Sequence, residues 1–174
     1  MKNHELNSDK QNKSDEYYTK EYAITPMLKY LKQYKTIWCP FDKKESNYVS
    51  VLEKNGHKVI YSHIENRQDF LTYTPKENFD CILSNPPYSL REKILEKCFS
   101  LQKPFGLLIN ISGLFDSKKR YDLFKNNPFE IMVFNKRIDY IKQDKTNKSG
   151  VPFASIYLCS KLLPSQFCFE ELNK

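Results

Sequence analysis

Glycine is scarce in this chain: 4 in 174 residues, at positions 56, 106, 113 and 150, with none between residues 36 and 50. Histidine is rarer still, and the 3 present, at 4, 57 and 63, lack the paired spacing that metal ligation needs. The 5 cysteines (39, 81, 98, 159 and 168) are odd in number and form no C-x-x-C pair. That argues against both a disulfide framework and a zinc knuckle, and leaves them as small buried hydrophobes. No apolar run nears the roughly 18 residues of a membrane span. The segment Met1-Lys2-Asn3-His4-Glu5 lacks the apolar stretch of a signal peptide, so a soluble, cytoplasmic protein without membrane contact is expected. Serine nucleophile chemistry is missing too, because Gly106-Leu107-Leu108-Ile109-Asn110 has no serine elbow and reads as a core strand.

What is present points to a packed globular chain. Tyrosine and phenylalanine number 12 each and 40% of residues are hydrophobic, too rich for a disordered chain, and the length suits one core. Lys and Arg total 28 against 21 Asp and Glu, a net charge of +7. The acids are interspersed among the bases, so a polyanionic partner is compatible with this balance but not demanded by it. Residues 1–16 are almost wholly polar and are expected to be mobile; residues 17–174 form the folded domain, with no internal repeat and no second-domain boundary.

Apolar spacing organises that domain. Met27 to Tyr34 has helical spacing, with Thr25 as N-cap and Pro26 at the first helical position. Thr36-Ile37-Trp38-Cys39 is a strand stopped by Pro40. A helix is expected over residues 46–55, Asn55-Gly56 ending it, and a second strand over 58–62. Phe79 to Ser84 is a third strand and Ile94 to Leu101 another helix. Residues 105–111 are nearly continuously apolar, as in a strand buried on both sheet faces. Two late strands, 130–140 and 153–159, joined by a polar loop from Lys142 to Gly150, have hairpin character. Strands alternating with helices and closing on a hairpin make an α/β, mostly parallel, doubly wound sheet.

The sharpest motif is Asp80-Cys81-Ile82-Leu83-Ser84-Asn85-Pro86-Pro87-Tyr88. It sets an amide, two rigid residues and an aromatic ring at the carboxyl end of a strand, the edge where open α/β sheets bind ligands. Pro86 fixes its own φ and keeps Asn85 out of helical geometry. An exocyclic amine conjugated to a ring is a poor nucleophile, and two acceptors gripping its hydrogens draw the lone pair out of conjugation. The Asn85 amide oxygen and the Pro86 carbonyl supply such acceptors, and Tyr88 offers a face to a planar base.

On Asn85-Pro86-Pro87-Tyr88, which fully matches the Asn/Asp/Ser-Pro-Pro-aromatic motif, most of residues 15–170 resemble the S-adenosylmethionine-dependent amino-methyltransferases, in particular the small phage-type DNA adenine-N6 methyltransferases. The resemblance implies a single Rossmann-like methyltransferase domain with a C-terminal antiparallel hairpin and no separate target-recognition domain. It implies S-adenosylmethionine as cofactor, with Tyr18 and Thr19 over its methionine end, although Lys20 stands where the family has Pro. The family's Gly-rich loop is replaced by Cys39-Pro40-Phe41-Asp42-Lys43-Lys44-Glu45-Ser46. There Pro40, Phe41 and Asp42 would face the methionine moiety, Asp42 taking its ammonium group; Asp42 and Ser46 are equally suited to capping the next helix. Ser62-His63-Ile64-Glu65 stands where the family binds ribose, with His63 or Glu65 available, and Asp69-Phe70 would hold the adenine.

A base inside a duplex is unreachable, so the target would be flipped into the Asn85 to Tyr88 pocket. Lys118-Lys119-Arg120, Lys136-Arg137, and Lys142, Lys145 and Lys148 are suited to phosphates rather than to base reading, and equally to a solvated face. With so little chain after Tyr88, recognition should be short or relaxed or depend on a homodimer. Three readings are therefore open: a DNA adenine-N6 methyltransferase; a methyltransferase placing an RNA base or protein glutamine in the same pocket; and a catalytically silent methyltransferase-like protein that binds nucleic acid or another partner.

Overall fold

A seven-stranded sheet organises the computed structural model, which describes residues 17–142 and 153–174. The expectations for residues 1–16, for Lys145 and Lys148, and for most of the loop from Lys142 to Gly150 lie outside those residues, as does the side chain of Lys142.

β1 (Tyr17–Tyr18) leads into a helical stretch made of α1 (Glu21–Ile24), a 3-10 turn (Thr25–Met27) and α2 (Leu28–Leu31). This corrects the helix expected from Thr25: helical structure begins at Glu21 and ends at Leu31. Pro26 does not start it but interrupts it, because its missing N–H breaks the regular ladder and the chain tightens into the 3-10 turn. β2 (Thr36–Cys39) follows, then α3 (Asn47–Lys54), capped by Ser46 Oγ accepting from Tyr48 N at 3.3 Å. Gly56, at φ +85°, makes the left-handed exit. Next come β3 (Lys58–Tyr61), β4 (Cys81–Ser84), α4 (Arg91–Ser100) and β5 (Phe105–Asn110).

α5 (Lys118–Asn126) was not expected. It has one fully buried residue, Phe124, and is fixed by the Ser117 cap, whose Oγ accepts from Arg120 N at 3.2 Å. β6 (Glu130–Phe134) ends well before Tyr140; β7 (Ile141–Lys142) pairs antiparallel with β1, apart from the main sheet. β8 (Ser155–Ser160) and an unforeseen β9 (Phe167–Glu170) complete the chain.

The strand order is β3-β2-β4-β5-β8-β6-β9. β3, β2, β4 and β5 run parallel, β8 is antiparallel to both β5 and β6, and β9 is parallel to β6. The late hairpin is thus present, with β8 inserted between β5 and β6. The result is a Rossmann-like, mixed α/β sheet. Both faces are buried, as the apolar run in β5 predicts: Ile37, Cys39, Leu83 and Leu108 face one core with α1 to α3, while Trp38, Ile82, Leu107 and Ile109 face a second with α4 and α5. All five cysteines are free and buried. Among the described residues no helix is long and apolar enough to cross a membrane.

From β2 the chain crosses to β3 on one side, and β4 then lands on β2's other side. The connections diverge there, leaving a crevice above the carboxyl ends of β2 and β4.

Candidate active site

Beyond Cys39 the chain turns at buried Pro40 and reaches Asp42, whose N–H donates to Ser62 O at 3.2 Å beyond the end of β3. The Asp42 carboxylate is 8% exposed and accepts from two hydroxyls, Ser46 Oγ at the start of α3 and Ser84 Oγ at the end of β4. Burial pushes its carboxyl up to about 6, outweighing the two serine hydrogen bonds that pull the other way. Ser46 therefore caps α3 and holds Asp42 at once. No residue from 40 to 46 has a positive φ, so this loop reaches the crevice in ordinary backbone conformations and needs no glycine.

Ser84 is fully buried, and Asn85 follows it at the mouth. Asn85 Nδ2 donates to Thr19 Oγ1 at 3.1 Å. Thr19 is 6% exposed, and its backbone carbonyl accepts from Asn47 Nδ2, in the first turn of α3, at 2.8 Å. The segment after β1 thereby bridges α3 and the end of β4. Pro87 is extended (φ −62°, ψ 134°) and aims Tyr88 into the next turn. The Tyr88 ring meets Phe153 nearly perpendicularly, at 85° and 5.4 Å, and Phe153 meets Tyr140 at 6.2 Å. Tyr140 in turn shares a 2.7 Å hydrogen bond with Ser155.

The other wall is aromatic. The Phe41 and Phe70 rings lie 5.0 Å apart, and Phe70 packs on Trp38 at 5.3 Å. Phe70 is 2% exposed, with the Lys97 ammonium 5.0 Å from its centroid; that ammonium also donates to the carbonyls of Phe70 (2.5 Å) and Tyr73 (2.7 Å). Asp69 accepts from Leu71 N at 3.0 Å. His63 is buried and accepts at Nδ1 from Glu65 N at 3.2 Å, while Glu65 itself pairs with Lys43 at 2.5 Å.

Of the residues singled out from sequence, hydrogen bonds through Ser84, Ser46 and Asn47 tie together the segments of Thr19, Asp42 and Asn85, which also carry Pro40, Phe41, Pro86, Pro87 and Tyr88; His63 follows Ser62, whose carbonyl takes the Asp42 N–H, and Phe70, next to Asp69, packs on Phe41. Tyr18 instead is 44% exposed, on the β1–β7 ribbon. The cations divide. Lys118 pairs with Asp122 at 2.8 Å, Lys119 with Glu92 at 3.2 Å and Glu96 at 2.7 Å, and Arg120 with Glu92 at 3.6 Å. Lys136 and Arg137 are exposed and make no ion pair among the described residues.

No protein-family model matches the chain, and no curated protein matches it. Among solved structures, it is similar to a "putative methyltransferase" from Thermoplasma acidophilum at 10% identity, with a TM-score of 0.38, over 88% of this chain and 68% of that one. A likeness this distant bears on neither activity nor substrate.

Asn47 and Phe153 were not picked out from the sequence as site residues, and Ser84 was given no role within the Asp80-to-Tyr88 motif. Ser84 read as the last residue of a strand; only the apposition of β4 with β2 and its loop brings it to Asp42, 42 positions away. A serine closing an apolar strand at its carboxyl end is the one local signal that marked it.

Proposed function

We propose that the chain is an S-adenosylmethionine-dependent methyltransferase acting on the exocyclic N6 amine of adenine in DNA, the base being flipped into the crevice beside Asn85 to Tyr88. The observation that carries the reading is Asn85-Pro86-Pro87-Tyr88 at the switch-point end of β4, hydrogen-bonded neighbour to neighbour with a buried carboxylate.

The residues fit such a cofactor. Asp42 is a carboxylate held inside the fold by two serine hydroxyls, with no cation among its partners, a donor set suited to an ammonium group. Phe41, half-buried beside Phe70, supplies an apolar flank. When bound, S-adenosylmethionine supplies a methyl group on a cationic sulfur, electrophilic enough that no base is needed before attack.

The chain's own work is at the acceptor. The Asn85 amide oxygen and the Pro86 carbonyl accept from the two amine hydrogens and localise the nitrogen lone pair. The proton shed after transfer stays hydrogen-bonded at Asn85 Oδ1 until water takes it. Tyr88, propped by Phe153, offers its ring to the base and offsets part of the unstacking cost of a few kcal/mol.

Calorimetry with S-adenosylmethionine, followed by labelled methyl transfer to DNA, RNA and protein, tests this. Binding of the cofactor and label in DNA adenine are expected. Asn85→Ala should lower transfer by roughly 10²–10³-fold while cofactor affinity stays within about threefold. No binding heat at millimolar ligand, or label only in RNA or protein, would sink the reading.

A further inference from the structure

We infer, resting on the cofactor reading above, that Lys97 is a positioning residue for the cofactor's adenine ring: its ammonium holds the turn that sets Phe70 behind Phe41. Between the 3-10 turn Ile64–Asn66 and β4 the chain forms no helix and no strand, so the carbonyls of that stretch have no ladder to join. Asp69 closes a turn there, its Oδ1 accepting from Leu71 N at 3.0 Å and its carbonyl from Thr72 N at 3.0 Å and Tyr73 N at 2.7 Å. The carbonyls of Phe70 and Tyr73 meet one group, the Lys97 ammonium, at 2.5 and 2.7 Å. The roles in these two bonds are fixed, since an ammonium only donates and a carbonyl only accepts.

The same ammonium stands 5.0 Å from the Phe70 ring centroid, so it fixes backbone and ring together. Trp38, 5.3 Å from Phe70, gives that ring its floor. Phe70 is 2% exposed and so acts through Phe41, which is half-buried and 5.0 Å away. Lys97 is thus a support two rings behind the ligand. Its helix, α4, starts directly after the turn Tyr88–Leu90 that follows Asn85-Pro86-Pro87. One helix leaves the acceptor end of the crevice and holds its aromatic wall.

Lys97→Met keeps the apolar stem and the helix propensity and deletes the ammonium; Lys97→Arg keeps a cationic donor with hydrogens for both carbonyls. In the full chain, three readouts are taken: amide hydrogen exchange, calorimetry with S-adenosylmethionine and with 5′-methylthioadenosine, and labelled methyl transfer to duplex DNA. The second ligand keeps the adenosine and the sulfur but has neither ammonium nor carboxylate. In Lys97→Met, exchange at Leu71, Thr72 and Tyr73 should quicken about tenfold or more while β4 and β5 keep their rates. Both ligands should bind about tenfold more weakly, and KM for S-adenosylmethionine should rise with kcat and KM for DNA within about threefold. Lys97→Arg should restore exchange and affinity. Unchanged exchange at the three amides in Lys97→Met overturns the inference, as does loosening of the whole sheet, which would make Lys97 merely structural. So does a loss of affinity confined to S-adenosylmethionine, a loss carried in kcat, or an Arg variant as weak as Met. If the unaltered chain binds neither ligand, the functional reading fails and takes the adenine role with it; the exchange rates still decide separately whether Lys97 holds the turn.

Discussion

One face of the sheet, covered by α1 to α3, is packed with aliphatic side chains, four of the five cysteines and three buried tyrosines, whereas the other, covered by α4 and α5, sets Trp38 and five buried phenylalanines among its aliphatic side chains. The difference continues into the crevice where the two faces meet. From the aromatic face, Trp38, Phe70 and Phe41 run outward as one wall of rings. From the aliphatic face, α3 contributes Asn47 and the Ser46 cap, and beneath them Tyr48 and Tyr157 share a buried 2.9 Å hydrogen bond. A site with one flat apolar wall and one hydrogen-bonding wall suits a ligand that has a planar ring at one end and charged groups at the other. The asymmetry of the core thus prepares the asymmetry of the site.

Four substitutions sharpen or break this comparison. Trp38→Ala should have the largest effect, about 3–5 kcal/mol of stability by urea unfolding, because a fully buried ring touching Phe70, Tyr73 and Phe79 is lost. A loss below that of Gly106→Ala would show that the aromatic wall is not integral to the fold.

Asp42, at the junction of the walls, should respond to pH with an unusual sign. Its carboxyl is raised to about 6 from 3.8, so between those values the folded chain binds more protons than the unfolded one. Its contribution is therefore favourable at low pH and is lost as pH rises through 6, by about 3 kcal/mol in all. Asp42→Asn should flatten stability between pH 4 and 6 and leave the fold no weaker at pH 7. The same variant should bind S-adenosylmethionine more weakly, while wild-type affinity rises with pH through the same window. Parallel stability curves for the two proteins would remove Asp42 from the account.

On the aliphatic face, a Cβ added at Gly106 would lie 3.0 Å from Leu83 Cδ1, 3.1 Å from Met27 Cε and 3.2 Å from Leu162 Cδ1. These are flexible side-chain ends, so Gly106→Ala should cost about 1–3 kcal/mol by thermal unfolding, without loss of fold. Smallest is Tyr48→Phe, which leaves the Tyr157 hydroxyl without its partner and should cost about 1–2 kcal/mol in the same assay. A neutral result there would mean that the hydrogen-bonding wall ends above Tyr48.

The main-sheet strands before β9 were legible in the sequence because burial on one or both faces writes a dense apolar pattern; Phe105 to Asn110 is the plainest case. α5 was not legible. Its surface is ionic, tied through Lys119 to Glu92 and Glu96 of α4, and only Phe124 is fully buried, so the apolar stripe that announces a helix is thin. β9 hid for a different reason: Cys168 faces inward as expected, but Phe167 and Phe169 stand exposed, against what residue type suggests. In the site, Asn85 and Thr19 stand in recognisable segments, but their contact does not. It depends on the segment after β1 being brought across 66 positions to β4. Lys118, Lys119 and Arg120 suit phosphates or a solvated face equally in the sequence, which shows charges and not their partners; in space each has a carboxylate partner.

The loop from Pro40 to Ser46 carries a side chain at every position and bends without left-handed backbone. A glycine-lined loop would meet its ligand with peptide groups, which are the same in every chain. Under the proposed function this one would meet it with residues, and residues can be exchanged one at a time. Its selectivity would then be open to gradual change through single codons, in either direction, with no need to rebuild the turn that carries it.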